Sequence, residues 1–274
     1  MLPNQSTGKV IIAAAGSGDP ELITVKAARY LQQADVVLTD RLVSEIILVD
    51  YVRPDAEIIY VGKQNKKDGS AAQTDINQLL VQYATEGKLV VRLKGGDVSI
   101  FSNVLDELQT LVAHQIPYEI VPGVTAALGA AAYAGIPLTA RGYATSVRFL
   151  TYYNSDVVND TYWKELATTK DTLVFYMSCD TLGEVVKKLK ENGVDTSTKI
   201  AVVEQATTPL QQVYTASIEE YAQTLANRSF LSPSLVIIGK VVELHQQFAW
   251  FQNENNNTEQ YYFKPIGHTA NDHE

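Results

Sequence analysis

Five short apolar runs dominate the first 125 residues, and each ends in glycine, aspartate or lysine: "KVIIAAAG", "DVVLTD", "AEIIYVGK", "KLVVRLKGG" and "YEIVPG". A run without polar alternation reads as a strand covered on both faces. Between the runs lie segments of helical period. The first is "DPELITVKAARYLQQ", with Leu22, Val25, Ala28 and Leu31 in register and Asp19 and Pro20 at its start. "SEIILVDYV", "AAQTDINQLLVQYATEG" (stopped at Gly87) and "NVLDELQTLVAHQ" follow in the same manner. This alternation predicts an α/β fold with a largely parallel sheet. In such sheets ligands gather beyond the carboxyl ends of the strands. "GSGDP", "TDRLVS", "VGK", "RLKGGD" and "VPGVTAA" all fall there. Adjacent glycines cost backbone entropy, so the pair in "RLKGGD" marks either a tight turn or a place where backbone lies against a ligand.

After Pro137 the pattern begins again. "SVRFLTYY", "DTLVFYM", "KIAVVEQAT" and "SLVIIGKVVEL" read as strands, and "TLGEVVKKLKENG" and "SIEEYAQTLANR" as helices. The polar stretch "NSDVVNDTYWKE" reads as a loop or flap. The expected organisation is therefore two α/β domains, residues 1–140 and 141–251, with a ligand cleft between them. Residues 252–274 are polar and expected to be disordered, with Tyr261, Tyr262 and Phe263 as docking candidates.

Composition excludes several function classes. The net charge of -9 argues against broad nucleic-acid binding. Residues 1–150 hold 13 Lys+Arg against 15 Asp+Glu, and 151–274 hold 9 against 16, so an anionic small molecule is better handled in the first half. The four histidines show no metal-ligand spacing, and no metal is expected. No stretch approaches the roughly 18 apolar residues of a membrane helix. The start lacks a signal pattern, and the one cysteine, Cys179, fits a reducing cytoplasm and a packing role. "GSGDP" lacks the third glycine of a dinucleotide fingerprint and the Lys-Ser/Thr of a Walker loop.

Taken together, "GSGDPELITVKAARYLQQADVVLTDRLVS", "VGK", "RLKGGD" followed by "IF", and "VPGVTAALGAAAYAGIPLT" resemble the uroporphyrinogen-III C-methyltransferases of the tetrapyrrole methylase family. The resemblance continues through "YATSVRF", "TLVFYM", "VVEQAT" and "SLVIIGKVVEL". It implies two methyl transfers from S-adenosyl-L-methionine to uroporphyrinogen III, giving precorrin-2 for sirohaem and cobalamin and releasing S-adenosyl-L-homocysteine. It also implies a cofactor folded between the domains, and a homodimer. Carried over by position, Ser17, Gly95, Gly96, Asp97, Ile100, Thr125, Ala126, Met177 and Ala206 would meet the cofactor. Asp40 matches a proton acceptor and Lys63 a proton donor. Two alternatives stand beside this reading: a later precorrin methyltransferase, which would share the cofactor loops, and a cofactor-binding homologue with impaired catalysis, suggested by the altered loop Val98–Leu105.

The chemistry agrees with that placement. A sulfonium methyl needs no metal, only alignment with a carbon nucleophile and exclusion of water. The substrate carries eight carboxylates, so Arg41, Arg141 and Arg148 are its candidate partners. Each residue also has a plainer reading: Asp40 and Arg41 as a cap and its ion pair, Lys63 as a turn lysine, Gly95 and Gly96 as a turn, Met177 as core, Thr125 as a helix cap, and Arg141 and Arg148 as surface arginines. The chain departs from the family pattern in places. Ser17 stands for proline in "GPGDP", Asn103 for arginine, Val104 and Leu105 for two glycines, and Ala140 and Gly142 for the histidine and aspartate of "THRDYA".

Overall fold

The computed structural model describes residues 7–61, 71–152, 160–253 and 261–263, the first five residues of 71–152 by backbone alone. The chain forms two compact units, residues 1–125 with 263–274, and residues 126–262.

The first unit runs β1 (Lys9–Ala14), α1 (Val25–Leu31), β2 (Val36–Thr39), α2 (Glu45–Tyr51), β3 (Glu57–Tyr60), α3 (Ala71–Thr85), β4 (Leu89–Lys94), α4 (Leu105–Ala113) and β5 (Tyr118–Val121). Its five strands are all parallel, in the order β3-β2-β4-β1-β5. β1 is buried on both sides. Ile11 and Ala13 pack with Ala27 and Leu31 of α1 and Ile47 and Leu48 of α2. Val10, Ile12 and Ala14 pack with Ile76 and Leu80 of α3 and Leu111 of α4. The chain therefore leaves β1 toward one face and the adjacent β4 toward the other, which opens a crevice between their loops.

The second unit runs α5 (Ala126–Ala134), β6 (Val147–Thr151), α6 (Asp160–Thr168), β7 (Thr172–Tyr176), α7 (Leu182–Glu191), β8 (Lys199–Glu204), β9 (Gln212–Ser217), α8 (Tyr221–Thr224), β10 (Ser234–Ile238) and α9 (His245–Phe248). Its sheet is mixed, in the order β6-β7-β10-β8-β9: β6 and β7 are parallel, and the remaining pairs antiparallel. Trp163 and Leu166 of α6 and Val185 and Leu189 of α7 pack against Phe175, Val202 and Val236 of this sheet.

Several expectations change. The units divide at Thr125/Ala126 rather than at residue 140, because α5 is fastened to the far end of the chain. His245 Nδ1–H donates to the Ala134 carbonyl (2.6 Å) and Trp250 Nε1–H to that of Ala132 (2.8 Å). A Cβ on Gly135 would lie 2.1 Å from the Phe248 carbonyl oxygen. The helix expected from Asp19 breaks in two. Asp19 caps only a 3₁₀ turn, Pro20–Leu22, then Ile23 and Thr24 are extended and Thr24 caps α1, which leaves Val25 exposed. The second half of the stretch read as a loop or flap belongs to a helix, Asp160–Thr168, because Trp163, Leu166 and Ala167 supply a buried stripe; its first half, 154–159, lies outside the described residues. β9 was not anticipated, the helix expected at 217–228 shortens to α8, and the last strand stops before Gly239, which opens a 3₁₀ turn. In the tail, Phe263 is only 4% exposed, and Asn253 and Tyr262 make specific hydrogen bonds.

Candidate functional site

The loops at the carboxyl ends of the first sheet are fastened to one another through "RLKGGD". Gly96 N–H donates to the Gly16 carbonyl (2.7 Å) and Gly16 N–H to that of Gly96 (3.1 Å), so the loops after β1 and β4 form a small antiparallel bridge across the crevice. Gly96 has φ +72, a conformation open to glycine at little cost. Gly95 answers a different need. A Cβ there would sit 2.7 Å from Leu42 Cβ and 2.9 Å from the Leu42 carbonyl oxygen, so its absence lets the "TDRLVS" loop close against the glycine pair. Asp97 joins the fifth strand's loop to the same knot. Its Oδ1 accepts from Ser99 N–H (2.8 Å) and its Oδ2 from Gly123 N–H (2.9 Å). Asp97 thus shapes the loops, while Ser17 and Ile100, both half-buried, and buried Thr125 line them.

Beneath this edge lies a charged cluster that sequence reasoning missed. Arg92 and Lys94 alternate along β4 and so face the same side, where α4 places Glu107. All three are buried. Glu107 accepts from Arg92 Nε (3.0 Å) and, with both oxygens, from Lys94 Nζ (3.0 Å each). Arg92 also donates to the Leu38 and Leu93 carbonyls, and its Nη2 stands 3.9 Å from Asp40 Oδ2. Asp40 is a quarter exposed, and its Oδ1 accepts from Leu42 N–H (3.0 Å). Burial, and then the neighbouring Arg92, hold the Lys94 ammonium below its ordinary range against the pull of Glu107. Burial likewise lowers the Arg41 guanidinium, opposed by Asp40 beside it. Two cations two residues apart in an otherwise apolar strand were the available signal. Lys63 lies outside the described residues.

In the second unit the candidate positions gather at one sheet edge. β7 and β8 both run antiparallel to β10, and Tyr176 and Glu204 pair with its first two residues. Their carboxyl ends are therefore neighbours two strands apart, roughly 10 Å. Met177 follows β7 at φ +53 and is 53% exposed; Gln205 and Thr207, at φ +46 and +67, flank Ala206 after β8. Non-glycine residues in this region are strained, and such strain concentrates where ligands are clamped. Ala126 and the α5 amino end belong to the same edge, because Ala127 N–H donates to Tyr176 Oη (3.1 Å).

Arg141 and Arg148 are not brought there. Arg148 pairs with Leu173 near the start of β7, about 13 Å along the strand from Met177, and Arg141 lies in the exposed loop before β6. Arg148 is also committed within the unit: its Nε binds Asp171 and its Nη1 Glu165, each at 2.6 Å. Burial pushes the Cys179 thiol up to about 12, which makes it inert at neutral pH. Among the described residues no cluster of His, Cys, Asp and Glu has the makings of a metal site, and no helix is long and apolar enough to cross a membrane.

Comparison with known proteins bears directly on this arrangement. The family model of the tetrapyrrole (corrin/porphyrin) methylases matches residues 9–222. Siroheme synthase of Pseudomonas paraeruginosa is 46% identical over 251 residues, 92% of this chain and 54% of the relative. That of Nitrosospira multiformis is 48% identical over 249 residues, 91% of this chain and 52% of the relative. The chain thus spans about half the length of these curated relatives. Among solved structures, uroporphyrin-III C-methyltransferase of Thermus thermophilus superposes with TM-score 0.73 at 33% identity, over 89% of this chain and 97% of that one. The same enzyme complexed with S-adenosyl homocysteine gives 0.72 at 35%, over 86% and 94%. A cobalt precorrin-4 methyltransferase gives 0.77 at 28%, over 88% and 99%. The chain belongs to the tetrapyrrole methylase family.

Proposed function

We propose that this tetrapyrrole methylase moves methyl groups from S-adenosyl-L-methionine to uroporphyrinogen III, forming precorrin-2 on the route to sirohaem and cobalamin. The observation that carries the reading is the glycine knot of the first unit. It presents backbone at the positions the family gives to the cofactor, with side chains removed where loops or ligand approach. The residues present fit such a ligand. In the first unit Gly95, Gly96, Ser17, Ile100 and Thr125 are the positions proposed to meet it, with Asp97 fixing the loop shape; in the second unit, taken by itself, they are Ala126, exposed Met177 and Ala206.

When bound, the cofactor would supply a sulfonium methyl to the carbon nucleophile, and the S–CH3 bond would break to leave S-adenosyl-L-homocysteine. The chain's own residues do the rest. The loops align a pyrrole carbon with that methyl and keep water out. Each new carbon–carbon bond leaves the macrocycle one proton in excess, and Asp40, which accepts from the Leu42 amide and faces Arg92, would take it. Lys63 is the proposed proton donor. Arg41, beside Asp40, is the arginine best placed for a substrate carboxylate. Arg141 is exposed at the other end of the second sheet, and the ion pairs of Arg148 give it a structural role. In this reading the enzyme works in the cytoplasm as a homodimer.

The test is anaerobic incubation of the pure protein with uroporphyrinogen III and S-adenosylmethionine, following S-adenosylhomocysteine and product mass. Two added methyl groups are expected. Cofactor binding without product would overturn the substrate assignment and place Asn103, Ala140 and Gly142 among its causes. Asp40→Asn should lose most of the turnover while binding cofactor normally; undiminished transfer would remove Asp40 from the mechanism.

A further inference from the structure

The chain beyond Trp250 reaches the turn between β8 and β9 at two points. Asn253 Nδ2 donates to the Gln211 carbonyl (3.2 Å), and Tyr262 N–H donates to Gln205 Oε1 (2.7 Å). Those acceptors stand at the two ends of residues 205–211, the turn that carries Ala206. Two of its non-glycine residues, Gln205 and Thr207, are left-handed, and the polar side chains of Gln205, Thr207, Thr208 and Gln211 are all buried. The turn has internal bonds of its own. Thr207 N–H donates to Gln211 Oε1 and Thr208 Oγ1–H to the Gln205 carbonyl, both at 2.8 Å. Strained backbone of this kind persists only where its surroundings over-determine it.

We infer that Asn253 and Tyr262 are positioning residues for the cofactor: the Asn253 side chain and the Tyr262 amide hold the 205–211 turn in the shape that receives S-adenosylmethionine. The inference rests on the assignment of Ala206 to the cofactor. A ligand that fits one shape of a turn loses apparent affinity in proportion to the time the turn spends in other shapes. A single neutral hydrogen bond is worth about three- to ten-fold in such an equilibrium. Neither bond changes the chemistry of methyl transfer, so both act on cofactor affinity and leave turnover at saturating cofactor unchanged.

The experiment is calorimetric titration of the full chain with S-adenosylmethionine, alongside thermal unfolding without ligand. Tyr262→Pro deletes the amide donor, Tyr262→Ala keeps it, and Asn253→Ala removes the other bond. Tyr262→Pro and Asn253→Ala should each weaken binding about three- to ten-fold, and Tyr262→Ala should stay within about two-fold of the parent. Equal affinities throughout would overturn the inference and leave the cofactor reading intact. So would a lowered unfolding temperature with unchanged affinity, or equal losses for Tyr262→Ala and Tyr262→Pro. A parent chain that binds no S-adenosylmethionine would overturn the cofactor reading itself and the inference with it.

Discussion

Glu107 is the single carboxylate inside a cluster of two buried cations, and its replacement tests how the candidate site's floor is held. It accepts three hydrogen bonds of 3.0 Å, one from Arg92 and two from Lys94. Glu107→Gln keeps the volume, so no cavity term enters, but it leaves two cations facing an amide with Asp40 no nearer than 3.9 Å from Arg92. Breaking a buried ion pair by removing one partner costs about 3–5 kcal/mol, and here one carboxylate serves two partners, so the upper part of that range is expected. Lys94→Met should behave differently. Burial and Arg92 already hold the Lys94 ammonium below its ordinary range, and Arg92 and Glu107 remain a matched pair without it, so the cost should be under about 1 kcal/mol. The assay is urea denaturation, read as a shift in midpoint at constant slope. The pH dependence has a definite sign. From the lowered folded-state value of Lys94 up to its ordinary 10.5, the unfolded chain binds more protons than the folded one. Parent stability should therefore rise with pH relative to Lys94→Met in that window. Equal losses for Glu107→Gln and Lys94→Met, or a difference between parent and Lys94→Met that ignores pH, would refute the picture of Lys94 as the surplus charge.

Gly95→Ala should cost about 1–3 kcal/mol and weaken S-adenosylmethionine binding, since the new methyl meets Leu42 Cβ at 2.7 Å and its carbonyl oxygen at 2.9 Å; thermal unfolding and calorimetry check both. Tyr176→Phe removes the acceptor for the Ala127 amide and should cost about 1–3 kcal/mol in the same unfolding assay, without disturbing the ring contact to Phe149. Hydrogen bonds from Lys26, Lys9 and Tyr30 lower Glu119 from 4.5 to about 2. The stability this carboxylate contributes is complete above pH 4.5 and is lost as the pH falls toward 2, so Glu119→Gln should flatten the acid limb of the stability curve.

The first unit was legible because its strands carry their own signature. After Lys9 the run "KVIIAAAG" has no polar position, as suits a strand covered on both faces; the edge strands β3 and β5 are largely exposed instead, and the helices between the strands could be placed by period except the one read from Asp19, which breaks before α1. The second unit was less so. β9 (Gln212–Ser217) is an antiparallel strand with half of its residues only partly buried, so its pattern is diluted by polar positions. α6 hides in a polar stretch because Trp163, Leu166 and Ala167 make a narrow apolar stripe. The division at Thr125/Ala126 was invisible for another reason. It depends on bonds between α5 and residues more than 110 positions later, and nothing local to residue 125 announces them. At the site, the glycines and Asp97 could be found by motif, but not that Asp97 spends both oxygens on backbone amides.

Sheet geometry also separates the three candidate arginines, which the sequence could only place in one class. A carboxylate ligand is best met where a strand of the sheet ends, because ligands gather beyond the carboxyl ends of strands. Arg148 fails that condition, since β6 begins rather than ends beside it, and two carboxylates already lie 2.6 Å from its guanidinium. Arg141 is exposed in the loop that precedes β6. Arg41 alone follows the carboxyl end of a strand of the first sheet, next to Asp40 and the loop that closes on Gly95, with burial already lowering its guanidinium. If the proposed eight-carboxylate substrate is the right one, Asn103 standing where the family carries arginine leaves Arg41 as the first arginine to replace in a binding test.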